Sequence, residues 1–212
     1  MSNAFQIAAC GDDALRILCG EGDIRHDLAQ RLAGDSGWLE IVPGKRDVTV
    51  SFDPHTERME AARLRLDAAL ATDAPSRRDA ARTLKFPAIF GGEDGPDLSG
   101  VAAASSLSEA AVIAAVESSL LSVDMLGFTP GFAYLSGLGP LLVSERLAHP
   151  RTRVAAGSIG LITGQIGLYA LDGPGGWPII GRVTGALFDR AKADPFVLRP
   201  GDCVRLRQAA SA

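Results

Sequence analysis

The segment Gly127-Phe128-Thr129-Pro130-Gly131-Phe132-Ala133-Tyr134-Leu135-Ser136-Gly137-Leu138 carries the densest grouping of rings and turn residues in the chain. Two aromatics flanking Pro-Gly make a rigid turn with exposed backbone, a shape suited either to lining a pocket or to packing on a barrel wall. Downstream, Pro150-Arg151-Thr152-Arg153-Val154-Ala155-Ala156-Gly157-Ser158-Ile159-Gly160 brings two arginines close together. In an extended segment they project from one side, as bidentate clamps for a carboxylate or phosphate or as plain solvent-facing strand residues. A third cluster is Gly164-Gln165-Ile166-Gly167-Leu168-Tyr169, followed by Gly173-Pro174-Gly175-Gly176-Trp177-Pro178-Ile179-Ile180-Gly181-Arg182.

Other chemistries lack the residues they need. No G-x-x-x-x-G-K-[ST] or G-x-G-x-x-G stands between a strand and a helix, so the glycines do not form a phosphate loop. The histidines His26, His55 and His149 lie far apart, and only His149 is near the motif region, which reads as a surface residue rather than a base or ligand. The three cysteines, Cys10, Cys19 and Cys203, have no C-x-x-C spacing, so neither a disulfide framework nor a zinc site is expected. No metal is expected.

The elements that must hold these residues follow from composition and periodicity. With 212 residues, 47% hydrophobic and 22% charged, the chain has material for a folded core and is too apolar to be disordered. Its net charge of -4 gives no sign of a nucleic-acid protein. Met1 to Cys10 lacks the pattern of a secretion signal, and no apolar run approaches the roughly 20 residues of a membrane span, so a cytoplasmic location is expected. Aromatic residues supply only 6%, against 24 glycines and 12 prolines, and 14 of those glycines fall between Gly127 and Gly201. Two parts are therefore expected, divided at residues 1–82 and 83–212.

In the first, Phe5 to Ala9, Ala14 to Leu18, Leu39 to Val42 and Val48 to Phe52 read as strands, with helices over Ile24 to Ala33 and Arg58 to Ala71. Two strand-strand-helix units predict a small α+β sandwich with helices on one face of an antiparallel sheet. In the second, Leu84 to Phe90 is a strand that ends in the loop Gly91-Gly92-Glu93-Asp94-Gly95-Pro96-Asp97, and Ser106 with Glu109 reads as a capping box opening a helix. Short apolar runs at Val123 to Phe128, Ser158 to Thr163, Leu168 to Leu171, Pro178 to Val183 and Cys203 to Leu206 argue for a closed or nearly closed β-barrel. Charge is segregated as well: Pro87 to Pro150 holds seven acidic side chains and one basic, Arg151 to Ala212 eight basic and four acidic. That leaves a cationic barrel end for an anionic ligand, or a solvated basic face.

The run from Gly127 to Arg207, with GFTPGFAYLSGL, PRTRVAAGSIG, GQIGLY, GPGGWPIIGR and LRPGDCVRLR, closely resembles the family of the 5-oxoprolinase B subunit. That family is also called allophanate hydrolase subunit 1 and contains the kinase inhibitor KipI and a region of urea carboxylase. Gly91 to Leu98 is similar to its GGEYGPDL segment. The resemblance implies that the second domain is a cyclophilin-like barrel. It also implies a homologue of the C-type subunit as partner, a homologue of the A-type subunit, and ATP as cofactor, bound here or shared with those partners. The implied reaction is 5-oxoproline with ATP and water to glutamate, ADP and phosphate, with this subunit inactive alone. The alternatives are a KipI-like inhibitor of a sensor histidine kinase and an allophanate or urea-metabolism subunit. By matching motif positions, the resemblance implies Phe128, Pro130, Phe132 and Tyr134 on the pocket wall and Arg151, Arg153 and Arg182 as anion clamps. It likewise implies Gln165 as a polar substrate contact and Trp177 as a lid or interface aromatic. Aligned without gaps, the chain has Val116 and Leu121 where the family usually has histidine and tyrosine, and Glu145-Arg146 in place of its first proline-arginine pair.

Overall fold

The computed structural model describes residues 5–20, 24–71 and 82–209. The chain divides into two compact units, Met1–Ala80 and Ala81–Ala212. Of the polar stretch Thr72 to Arg82, only Arg82 lies among the described residues.

The first unit runs β1 (Gln6–Ala9), β2 (Ala14–Leu18), α1 (Ile24–Leu32), β3 (Glu40–Pro43), β4 (Asp47–Ser51), α2 (Met59–Ala71). Its strands pair antiparallel in the order β1-β2-β4-β3. Apolar residues at every second position put Leu15 opposite Val50 and Ile17 opposite Val48, so one face of the sheet is oily. These side chains share one core with Leu28 and Leu32 of α1 and Ala62 and Leu66 of α2. Each of the larger ones contributes about 1.5–3 kcal/mol through burial.

The second unit begins with β5 (Thr83–Phe90), α3 (Leu98–Ala104), α4 (Glu109–Ser118), β6 (Leu121–Leu126) and β7 (Ala133–Ser136). It continues through β8 (Arg151–Val154), β9 (Ser158–Ile162), β10 (Gln165–Leu168), β11 (Gly173–Gly175), β12 (Ile179–Val183) and β13 (Cys203–Gln208). A closed barrel forms in the order β10-β7-β6-β13-β5-β12-β9, sealed by the β9–β10 hairpin. Strands β8 and β11 stand apart as a two-stranded ribbon. Alternation sends Leu135, Ile159, Leu161, Ile166, Leu168, Val204 and Leu206 into one buried core, which Val116 of α4 and Leu121 also enter. Among the described residues no single helix is long and apolar enough to cross a membrane.

Three local expectations change. The helix cap is Ser108, whose Oγ accepts the Ala111 N–H at 3.1 Å, while Ser106 stands at φ 55° outside the helix. Glu109 is therefore the first helical residue rather than the partner in a capping box. Helix α3 was not foreseen, because its Leu-Ser-Gly-Val-Ala-Ala-Ala sequence has little amphipathic contrast to announce a helix. Strand β10 covers Gln165–Leu168 instead of starting at Leu168, since its register is set by the hairpin with β9.

Candidate functional site

The loop 91–97 leaves β5 and folds over the end of β12. Gly91 N–H donates to Ile180 O at 3.1 Å, and Asp97 N–H to Ile179 O at 2.9 Å. Asp97 returns the contact: its Oδ2 accepts the Ile179 N–H at 2.6 Å, and its two oxygens take both arms of Arg151 at 2.8 Å each. Arg182 of β12 pairs with Asp94 of the same loop at 2.6 Å. Arg153 pairs with Asp172 at 2.6 Å, and Asp172 also accepts the Ala156 N–H at 2.7 Å. The Ala156 N–H, and after it Arg153, hold the exposed Asp172 carboxyl below its ordinary range.

These groups border a cleft of about 350 Å³ lined by Glu93, Asp94, Arg151, Arg153, Ser158 and Arg182 among others. The acidic stretch before Pro150 and the basic stretch after it thus meet here and neutralise one another. Arg151 and Arg182, expected as anion clamps, are each paired here with a carboxylate of loop 91–97, Asp97 and Asp94. The Arg151 fork is filled by both oxygens of Asp97, so its best anion-binding edge is occupied, while Arg182 makes a single contact to Asp94. Arg153 is also paired, but its side chain is 78% exposed, so that contact is weak.

Beside the cleft, on the face of the barrel sheet turned away from the interior, lies a cluster of rings. Phe132 is buried and meets Tyr134, Tyr169 and Trp177 edge to face, with ring centroids 4.7, 4.9 and 6.2 Å away. Val154 and Ile179 complete this small second core. The sheet accepts such large rings because glycines face them. A Cβ at Gly167 would stand 2.7 Å from Phe132 Cζ, and one at Gly160 3.0 Å from Trp177 Cβ. These two residues are partners across the β9–β10 ladder, so together they form a flat floor for the rings. Burial pushes both tyrosine phenols upward, while the Trp177 backbone N–H bonded to Tyr169 pulls the other way. Arg146 caps the cluster, its guanidinium carbon 5.7 Å from the centre of the Trp177 ring.

The remaining expected residues divide. Phe128 is 60% exposed, touches Phe132 edge to face at 5.5 Å, and has a left-handed backbone with φ 71°. Pro130 is exposed at the tip of the same turn, which Thr129 O closes by accepting the Phe132 N–H at 3.0 Å. Phe132 supports the wall from beneath, and Tyr134 is half-buried beside it. Trp177, expected as a lid or interface aromatic, is only 4% exposed and packed beneath Arg146. Gln165 pairs with Ile162, at the opposite end of β9 from the cleft residue Ser158. At about 3.3 Å per residue it lies roughly 13 Å from the arginines and does not join them. Val116 and Leu121 are fully buried in the barrel core, so the family's histidine and tyrosine positions do not face the cleft in this chain. Reading the sequence missed Asp94, Asp97, Asp172, Arg146 and Tyr169. The charge segregation was the available signal for Asp94 and Asp97, whereas Asp172 lies within the basic stretch.

Comparison with known proteins follows the same lines. The family model described as carboxyltransferase domain, subdomain C and D, matches residues 5–198. The 5-oxoprolinase B subunit of Escherichia coli O157:H7 is 40% identical over 179 residues, covering 84% of this chain and 81% of its own. The protein of the same name from Bacillus subtilis (strain 168) is 32% identical, covering 97% and 93%. Among solved structures, TTHA0988 superposes with a TM-score of 0.79 at 34% identity over 94% of this chain. This chain spans only 40% of that longer one. The Kluyveromyces lactis urea carboxylase, at 19% identity and a TM-score of 0.75, shares the fold over 97% of this chain and 22% of its own.

Proposed function

Because the chain belongs to the carboxyltransferase-domain family of subdomains C and D, within its group of 5-oxoprolinase B subunits, we propose that it is the B-type subunit of an ATP-dependent amidohydrolase. The observation that carries the reading is its 40% identity to a protein of that name over most of both chains. In this reading the substrate is 5-oxoproline, the product is glutamate, and homologues of the C-type and A-type subunits complete the enzyme. The barrel is the cyclophilin-like domain of the family, and the α+β unit is its small sandwich domain.

The substrate meets the turn 128–134, where Phe128 and Tyr134 present ring surface on a rigid support. Arg151 and Arg182 serve that site indirectly, by pinning loop 91–97 to the barrel. The cleft itself does not fit a nucleotide triphosphate. Its arginines are each matched by a carboxylate, and Glu93 adds a further negative charge, so the phosphates would meet no free cationic cradle. We therefore assign ATP to the partner subunits. This chain's part is to hold the lactam on ring surface and to keep its amide oriented for attack.

The test is co-expression with the A-type and C-type homologues encoded by the same organism, followed by measurement of glutamate released from 5-oxoproline with and without ATP. ATP-dependent release by the assembly, and none by this chain alone, is expected. A complete, stable assembly that turns over neither 5-oxoproline nor allophanate would sink the proposal.

A further inference from the structure

We propose that Arg146, held over the Trp177 ring beside Tyr134, is the anion-binding residue of the Phe128–Tyr134 wall, forming a site for a small carboxylate with a flat body. The inference rests on the reading of that wall as substrate-facing and adds the group that would orient the ligand.

Arg146 shares with Arg190 and Arg205 the lack of an ion pair among the described residues, and of the three it alone lies at an aromatic ring. Arg82, Arg151, Arg153, Arg182 and Arg199 all carry a carboxylate partner. Arg146 makes no ion pair or hydrogen bond with any described residue, and neighbouring Glu145 does not reach it. It is exposed yet placed: the Leu147 N–H donates to Gly176 O at 2.8 Å, fixing the backbone on either side of the stack. At 5.7 Å from the ring centre the guanidinium is within cation–π reach of Trp177, and its unpaired N–H fork is of the kind that takes both oxygens of a carboxylate.

The surroundings suit the rest of such a ligand. Tyr134 is half-buried, 5.9 Å from Trp177 between ring centres, and its hydroxyl bonds to none of the described residues. Arg146 is close enough to both Tyr134 and Tyr169 to draw their phenols down against the larger upward push of burial. Phe128 adds an exposed ring on a left-handed backbone, φ 71°, that non-glycine residues rarely adopt. Strain kept at an exposed aromatic is better explained by a contact made outside the chain than by packing within it.

Calorimetric titration of the full chain tests this with 5-oxoproline, its neutral carboxamide, benzoate and inorganic phosphate as probes. Both carboxylates are expected to bind, and Arg146→Gln to weaken them by about tenfold or more while leaving the weak carboxamide binding unchanged. Arg199→Gln, at an exposed arginine already paired with Asp194, is expected to leave carboxylate affinity alone. Equal affinity of the carboxylates for wild type and Arg146→Gln, no carboxylate binding by the wild type, or phosphate bound as tightly as benzoate would each overturn the assignment. An unchanged melting temperature for Arg146→Gln excludes misfolding as the cause. If benzoate binds through Arg146 while the assembled enzyme fails on 5-oxoproline, the site stands and the reading of the chain as a 5-oxoprolinase component falls.

Discussion

Replacing Asp97 with alanine should destabilise the barrel far more than an ordinary surface substitution. Its carboxylate takes two hydrogen bonds from Arg151 at 2.8 Å and one from the Ile179 N–H at 2.6 Å. Ile179 is only 4% exposed, so its orphaned N–H has poor access to water and costs about 1–3 kcal/mol. The bidentate pair is partly exposed, at 33% and 18% for the two side chains, and contributes about 1 kcal/mol. The sum, about 2–4 kcal/mol, corresponds to a fall in melting temperature of roughly 6–14 °C for a unit of this size. Asp97→Asn keeps an acceptor for Ile179 and should lose about a third of that. Thermal unfolding followed by circular dichroism on the full chain reads all of these. A melting temperature for Asp97→Ala within about 1 °C of wild type would refute the argument that this carboxylate straps the loop to β12. So would an Arg151→Ala variant of unchanged stability that loses all response to ligand, because Arg151 would then be a clamp for something outside the chain.

Gly167→Ala should cost about 1–3 kcal/mol, because the new methyl would press on Phe132 and Trp177, and near-ultraviolet circular dichroism should show the ring cluster loosened. An unaltered aromatic spectrum would show that the rings do not rest on that strand. For pH, the folded state holds the phenols of Tyr134 and Tyr169 above their ordinary value of 10.0. Their protonated forms are thus favoured in the native chain, so the stability they lend is complete below about pH 10 and declines as the pH rises through the native values. Urea midpoints measured between about pH 9 and pH 11 should fall, and Tyr169→Phe should flatten that slope. Parallel decline in both proteins would place the effect elsewhere.

Much of the architecture was legible because it rests on local pattern. The alternation of Ala14–Leu18 and Asp47–Ser51, and the leucines of Ile24–Leu32, decide strand and helix within a few residues. The barrel showed itself through short apolar runs cut by glycine. Whatever depends on distant partners was not legible. Asp97 and Arg151 are 54 residues apart, and nothing near either reveals that each satisfies the other. The same holds for Trp177, whose burial depends on Gly160 and Gly167 lining up across a hairpin. From sequence a tryptophan in a Gly-Pro stretch looks like a mobile flap; register turns it into core. Arg146 was passed over for a like reason: what distinguishes it is its place over the ring of Trp177, which no local spacing can display.

The parallel pairing of β13 with β5 has a kinetic consequence. All pairings of the four-stranded sheet lie between Gln6 and Ser51, so that sheet can assemble from nearby segments. The barrel is different, since Thr83–Phe90 finds one of its two neighbours only in Cys203–Gln208, and the Arg82–Asp202 pair beside them closes a loop of 120 residues. Contacts so distant along the chain slow folding and leave strand edges open meanwhile. During synthesis β5 must wait, with one edge unpaired, until residues 203–208 have left the ribosome. A chain stalled before that point would display the barrel's apolar interior to chaperones and to other nascent copies.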